Sequence, residues 1–239
     1  MARVLGHIFG DGCLQKDKKG YRVRYTNKQL RLVEDFKLCF EKSFPSTNTS
    51  VYLNRARNCW QFEAWSKKAY QALSAMVKNK QHVPAEIFNG SRNFKRHFIA
   101  TFFDDEGTVV YRWYKDKKRG PSYDCWKREV SVCNTSLSLL QELKEIFTEL
   151  GIKTGKIMGP YVSTRGGKSP PSSPFYRFSI YGKISYFIFS EVIPLQHPLK
   201  LERLRGLLAT YKDGEKLVSH FTDKLAIGLD IVRYDTLRA

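Results

Sequence analysis

The sequence has no uninterrupted apolar run approaching the roughly 20 residues that a helix needs to cross a bilayer, and no basic amphipathic anchor. A membrane partner is therefore not expected. Its opening stretch, Met1 to His7, is too short for a secretory leader and lacks a small-residue cleavage site, so an intracellular protein of the cytoplasm or nucleoid is expected. The five cysteines, Cys13, Cys39, Cys59, Cys125 and Cys133, form no Cys-x-x-Cys pair and leave an odd one over. Neither a zinc site nor a disulfide framework is supported, and they are expected to be small buried hydrophobes. Acids are also scarce: 23 Asp and Glu stand against 41 Lys and Arg, for a net charge of +18. With an isoelectric point near 9.7, the expected partner is a polyanion, DNA or RNA.

What the chain does have is a rough copy of itself. Its 239 residues, 42% of them apolar, can bury a core as one large domain or two small ones, and a repeat favours two. The segment Thr26 to Phe40 matches Cys133 to Phe147, with Asn, Leu, Leu, Lys and Phe recurring at an offset of 107 residues (134 − 27). In both, apolar residues such as Leu32, Val33, Phe36 and Phe40 fall at helical spacing, which predicts an amphipathic helix. Farther on, Trp60 to Lys67 matches Tyr176 to Lys183 at an offset of 116 (178 − 62), each alternating like a half-buried strand before a helix. The larger offset implies a longer loop in the second copy, which Ser163 to Pro174, rich in Ser, Gly and Pro, supplies. Basic and aromatic stretches, Lys16 to Tyr25 and Val109 to Arg128, read as hairpins ahead of each Asn helix.

Each copy is thus expected to run helix, hairpin, helix, hairpin, helix. The first spans residues 1–88 with the start of a linker, and the second spans 89–192. The break falls between Lys78 and Arg92, where Pro84, Asn89 and Gly90 interrupt the pattern. Residues 193–239 form a C-terminal extension with helical stretches, Leu199 to Tyr211 among them, and no partner in the first copy. A packing buttress is its expected role.

Each copy opens with an apolar helix that ends in an acid and a glycine: Val4-Leu5-Gly6-His7-Ile8-Phe9-Gly10-Asp11-Gly12 and Ile99-Ala100-Thr101-Phe102-Phe103-Asp104-Asp105-Glu106-Gly107. Gly6 with Gly10, and Ala100 with Thr101, allow two helices closer than the usual separation of about 8 to 10 Å. Gly12 and Gly107 are expected as left-handed caps that turn the chain into a strand. Asp11 and Glu106 would then meet at two helix C-termini, where the helix dipoles already repel negative charge. Two carboxylates so placed call for a cation. Oxygen ligands and a phosphodiester favour Mg²⁺, which takes one or two carboxylates, phosphate oxygens and water, and activates that water.

Both nonapeptides resemble the motif of the LAGLIDADG family, with Gly6, Asp11 and Gly12 matching in the first and Ala100, Asp104 and Gly107 in the second. The repeats extend the similarity over most of residues 4 to 190. The resemblance implies an α+β fold of two pseudo-symmetric α-β-β-α-β-β-α units with saddle-shaped antiparallel sheets, packed through the two motif helices. It also implies an intron-encoded homing endonuclease that cuts both DNA strands and leaves short 3′ overhangs. The acid at position eight, Asp11 or Glu106, is implied as the metal ligand, joined by the carbonyl just before it, Gly10 or Asp105. Mn²⁺ or Ca²⁺ can take the place of Mg²⁺. A polar and a basic residue before the second helix order water and offset phosphate charge. Asn27 with Lys28 stand there in the first copy, and Asn134 with Thr135 in the second, which lacks the charge. Phe9 departs from the motif, standing where the family often has an acid; Glu106 replaces Asp. His7 reads as a core or interdomain residue. Two other functions fit the same scaffold: a maturase bound to its host intron RNA, and a DNA-binding regulator without the chemistry.

On alternating strands Arg22, Arg24 and Thr26 share one face, opposite Val23 and Tyr25; Gln61, Glu63 and Trp65 lie opposite Trp60, Phe62 and Ala64. Arg, Gln and Glu on one face suit guanine, adenine and cytosine in a major groove. Lys16, Lys18, Lys19, Lys115, Lys117 and Arg119 sit near loop tips suited to phosphate. Arg55, Arg57, Arg112, Tyr114, Lys127, Arg165, Lys168 and Arg177 complete the expected contact set. Strands that differ between the copies favour a monomer on a non-palindromic duplex.

Overall fold

The computed structural model describes residues 1–18, 20–115, 125–162 and 174–211. Lys19, Lys117, Arg119, Arg165 and Lys168 lie outside the described residues, as does the extension beyond Tyr211.

The first unit runs α1 (Ala2–Phe9), β1 (Gly12–Asp17), β2 (Gly20–Asn27), α2 (Leu30–Ser43), β3 (Thr49–Asn54), β4 (Cys59–Trp65) and α3 (Lys67–Val77). A short α4 (Ala85–Phe88) lies in the connection. The second unit repeats the order with α5 (Arg92–Glu106), β5 (Gly107–Tyr114), β6 (Cys125–Asn134), α6 (Leu137–Glu149), β7 (Met158–Tyr161), β8 (Phe175–Ser179) and α7 (Lys183–Val192). A further helix, α8 (Pro198–Ala209), follows. The mixed helix-and-sheet class and the repeated unit are as the sequence predicts.

Each unit has one antiparallel four-stranded sheet, ordered β1-β2-β4-β3 in the first and β5-β6-β8-β7 in the second. The register pairs Tyr25 with Phe62 in one and Val132 with Phe178 in the other, so both sheets send the same residue positions inward. The helices that cover them bury matching faces: Leu32, Val33, Phe36 and Phe40 on α2, and Leu139, Leu140, Leu143 and Phe147 on α6, offset by 107. Periodicity at 3.6 on the helix meets periodicity at 2 on the strand, and the aromatic contacts close the layer, as where Phe36 meets Phe62 edge-on at 4.9 Å.

The two units share one continuous core, joined where α1 lies along α5. A Cβ on Gly6 would run into the Thr101 side chain and the Phe98 carbonyl, so glycine is required for this approach. Gly12 and Gly107 differ from expectation. Neither has a positive φ, and Gly107 is extended at φ −77°, ψ 157°. A Cβ on Gly12 would strike the backbone of Ile8 and His7, and one on Gly107 would strike the Phe103 ring. The strand folds back so tightly against the preceding helical turn that no side chain fits. The cysteines also differ: Cys59 is buried, Cys125 is exposed and the other three are half-buried, all of them as free thiols. Among the described residues no helix is long and apolar enough to cross a membrane.

Candidate active site and nucleic-acid interface

α1 and α5 end side by side, and the chain turns from each into the first strand of its own sheet. Asp11 occupies the turn after α1, and Glu106 is the last residue of α5. Burial, then Asp11 and Asp105, push the Glu106 carboxyl up from its ordinary value to about 7, against the pull of Lys200 and Lys80. Burial and then Asp105 raise Asp11 too, while an Asn27 hydrogen bond, Lys200 and His7 pull it down. The acids are thus a crowded, partly desolvated set whose ionised forms repel one another.

Around Asp11 opens a cleft of about 370 Å³ lined by Thr26, Asn27, Lys28, Gln29, Cys59, His197 and Leu199. Asn27 and Asn134 do the same local work: the side-chain oxygen of each accepts the backbone N–H two residues on, at 2.9 Å, and starts the helix. They differ beyond that. Asn27 Nδ2 donates to Asp11 Oδ2 at 2.9 Å, whereas Asn134 makes no bond to Glu106 among the described residues. Lys28 is exposed on the cleft wall.

Asp105 carries the residue's larger role on its side chain. Its carboxylate is fully buried and accepts from Tyr25 Oη at 2.6 Å and pairs with His7 Nδ1 at 3.0 Å. The other nitrogen of His7 lies 3.3 Å from Asp35, itself bonded by Arg3 at 2.7 Å. Burial disfavours the His7 cation, but Asp105 and Asp35 outweigh it and raise the imidazole to about 9. Arg3 and His7 of α1 thus both hold Asp35 of α2, and His7 links it onward to Asp105 of α5. Because this base has its pKa raised on folding, its stabilisation is full below about pH 6.5 and is lost as pH rises through about 9. Thermal or chemical unfolding of wild type should lose at most about 3 kcal/mol across that window relative to His7→Gln. Parallel pH curves for the two proteins would refute the charged imidazole.

Two residues absent from the sequence-derived set enter the site. Lys200, on the first turn of α8, donates to the carbonyls of Phe103 (2.9 Å), Asp104 (2.6 Å) and Asp105 (3.2 Å). The Asp105 carbonyl, expected as a metal ligand, thus holds an ammonium. Lys80, three residues beyond α3, donates to the Gly12 carbonyl at 2.8 Å. Burial lowers both lysines, and the acids of the site oppose that shift. The extension is anchored beside them: Gln196 and His197 donate backbone N–H to the buried Asp104 carboxylate at 2.9 and 3.0 Å. It also buttresses, with α8 packed on β5 and Arg128 bonded to Thr210. The signal for both lysines is positional, a lysine shortly after the third helix of each copy. The reading of residues 78–92 as a break and 193–239 as a buttress concealed it.

The outer faces of both sheets carry the remaining expected residues. Arg22, Arg24, Gln61 and Glu63 lie together by register. Gln61 donates to Tyr52 Oη (2.6 Å) and Glu63 (2.7 Å), Arg22 bonds Glu63 (3.1 Å) and Gln15, and its guanidinium lies 5.2 Å from the Trp65 ring. Arg24 makes no such bond among the described residues. On the second sheet Arg112 stands opposite Lys127 and Tyr114 opposite Cys125, on the same face as Glu129 and Arg177, which pair at 2.9 Å. Lys16, Lys18, Arg55, Arg57 and Lys115 are exposed at strand ends and turns.

Two antiparallel sheets on either side of paired acid-ending helices define the LAGLIDADG fold. No protein-family model matches the chain, and no curated protein does. Among solved structures the chain is similar to the homing endonuclease I-DmoI, as mesophilic variants (18% identity, TM-score 0.55, 82% of this chain and 96% of that one). It is similar to I-DmoI in complex with DNA and Ca (18%, 0.54, 88% and 96%), and to the N-terminal LAGLIDADG domain of DUF199/WhiA (13%, 0.50, 83% and 84%). At these identities the likeness establishes the fold.

Proposed function

We propose that this protein is a divalent-metal-dependent DNA endonuclease that hydrolyses both strands of a long, non-palindromic duplex site as a monomer, leaving short 3′ overhangs. What supports the reading most is that Asp11 and Glu106, one from each copy, stand at the ends of the packed helices α1 and α5, where burial and neighbouring acids penalise the charge of both. Evolution of a merely structural helix pair would not require two mutually repelling acids at its end, whereas a bound cation removes the repulsion. Among the described residues no three His, Cys, Asp or Glu side chains converge as a ready-made metal site. That donor set fits Mg²⁺, which keeps water and takes phosphate oxygens, so two carboxylates suffice once DNA is present. When bound, the ion would polarise the scissile phosphate and lower the pKa of attacking water. Asp11 and Glu106 would hold it, Asn27 fixes the Asp11 oxygen, and Lys80 and Lys200 offset negative charge at the phosphates.

DNA-bound I-DmoI supports a duplex partner, and a net charge of +18 supports binding through phosphate. We assign base reading to the outer-face residues, Arg24 foremost because its guanidinium makes no hydrogen bond or ion pair among the described residues; those in the Arg22, Glu63 and Gln61 network must exchange partners first. Selection of cut molecules from a randomised duplex library in Mg²⁺ tests the function. The expected yield is one non-palindromic consensus, lost on chelation. Recovery of no cut duplex, or cutting that survives chelation, rejects the proposal.

A further inference from the structure

We infer that Asp105 is a positioning residue for cleavage, its buried carboxylate reaching from the second copy to fix Asp11 of the first. This rests on the nuclease reading above and assigns the side chain a role distinct from metal ligation.

At the constant offset of 95 between the motif helices (106 − 11), the counterpart of Asp105 is Gly10. The two face each other: a Cβ on Gly10 would fall on the Asp105 side chain, so the glycine makes room for the carboxylate. Four donors converge on it. Tyr25 Oη and Asn27 Nδ2 (3.4 Å) reach Oδ1, while His7 Nδ1 and the Asp11 backbone N–H (3.5 Å) reach Oδ2. Two of these lead to Asp11. Its amide is held directly, and its carboxylate is held through Asn27, whose amide group bridges Asp11 and Asp105.

A buried ion pair is a poor choice for stability alone, since an apolar pair of similar volume serves as well or better. Here the carboxylate has acceptor sites to spare and directs them at a site residue. The second copy has no equivalent. At the same offsets Tyr25 becomes Val132 and His7 becomes Phe102. The Glu106 carboxylate takes no hydrogen bond among the described residues. One half of the site is therefore set before DNA arrives, and the other is set on binding.

The strand whose scissile phosphate lies nearest Asp11 should depend on Asp105 and the other should not. The test compares wild type with Asp105→Asn and with His7→Gln/Asp105→Asn, where the buried pair is neutral and still hydrogen-bonded; whichever folds is read. Three measurements are made: thermal melting, the NMR resonance of the Asn27 side-chain amide in metal-free protein, and the cutting rate of each end-labelled strand of a selected duplex in Mg²⁺. In a variant that melts near wild type, the Asn27 resonance should shift and one strand should slow by about 10-fold or more, the range for loss of a ligand's supporting partner, with nicked duplex accumulating. An unmoved Asn27 resonance, or strands slowed equally or not at all, overturns the positioning role and leaves the nuclease reading intact. If wild type cuts no duplex, both fall.

Discussion

Asp11→Asn and Glu106→Gln should each bind the target duplex as well as wild type and cut it at least about 10³-fold more slowly, a barrier increase of about 4 kcal/mol. Each substitution removes a charge that would draw the cation to the scissile phosphates and leaves the outer-face arginines and lysines untouched. Stability should move the opposite way. Burial and the neighbouring acids raise Glu106 to about 7, so the folded state holds its proton more tightly than the unfolded chain does. For an acid shifted upward, stability is present below the unfolded value near 4.5 and is lost as pH rises through about 7. At pH 8, without metal, Glu106→Gln should therefore be more stable by about 1 to 2 kcal/mol, allowing for water that reaches this partly exposed group. Melting curves in chelator and strand-cutting rates in Mg²⁺ check the two halves. Cleavage of both strands by either variant at wild-type rates would remove the acids from the chemistry, and a destabilised Glu106→Gln would show that the carboxylate supports the fold.

The repeated fold was legible because it rests on periodicities. Leu32, Val33, Phe36 and Phe40 mark a helix face wherever they occur, and their recurrence at an offset of 107 marks a second one. The position of Asp11 and Glu106 at the ends of the paired helices was legible for a related reason, since each closes the same repeated helix. The glycines were identified as special but for the wrong cause: Gly12 and Gly107 are selected by contact with Ile8 and Phe103, which no local dihedral preference reveals. The Asp105 carboxylate was passed over for its carbonyl, because its partners Tyr25, Asn27 and His7 come from 78 to 98 residues away. Long-range hydrogen bonds leave no period in a sequence. Lys200 and Lys80 belong to the same category, arriving from segments with no repeat signal.

Those two lysines carry the second large effect. Lys200→Met and Lys80→Met should each slow cleavage by about 10²-fold, the usual result of removing one preorganised charge or donor from beside a developing negative charge. The structural work of either ammonium is smaller. Bonded to carbonyls at the end of α5, the half-buried Lys200 is worth up to about 2 kcal/mol, and Lys80 makes a single bond, to the Gly12 carbonyl of β1, against about 2.7 kcal/mol for a 10²-fold rate change. Melting temperature and rate should therefore separate, with a modest loss in the first and a large loss in the second. Position makes the two lysines unequal. Lys80 holds the turn at Gly12, next to Asp11, whereas Lys200 holds the end of α5 next to Glu106 and comes from the extension. Each variant should favour a different surviving strand, so that end-labelled duplex accumulates as opposite nicks in the two proteins. Removal of residues 193–239 should reproduce Lys200→Met in strand preference, with an added loss of stability from the Asp104 anchor and the packing of α8 on β5. Lys28→Met provides the contrast: exposed on the cleft wall and without a hydrogen bond among the described residues, it should affect rate less than either half-buried lysine. If Lys200→Met cuts both strands at wild-type rates while Lys28→Met does not, the cationic partner of the phosphate is the lysine that the sequence pattern indicated, and Lys200 only fastens α8 to the motif helix.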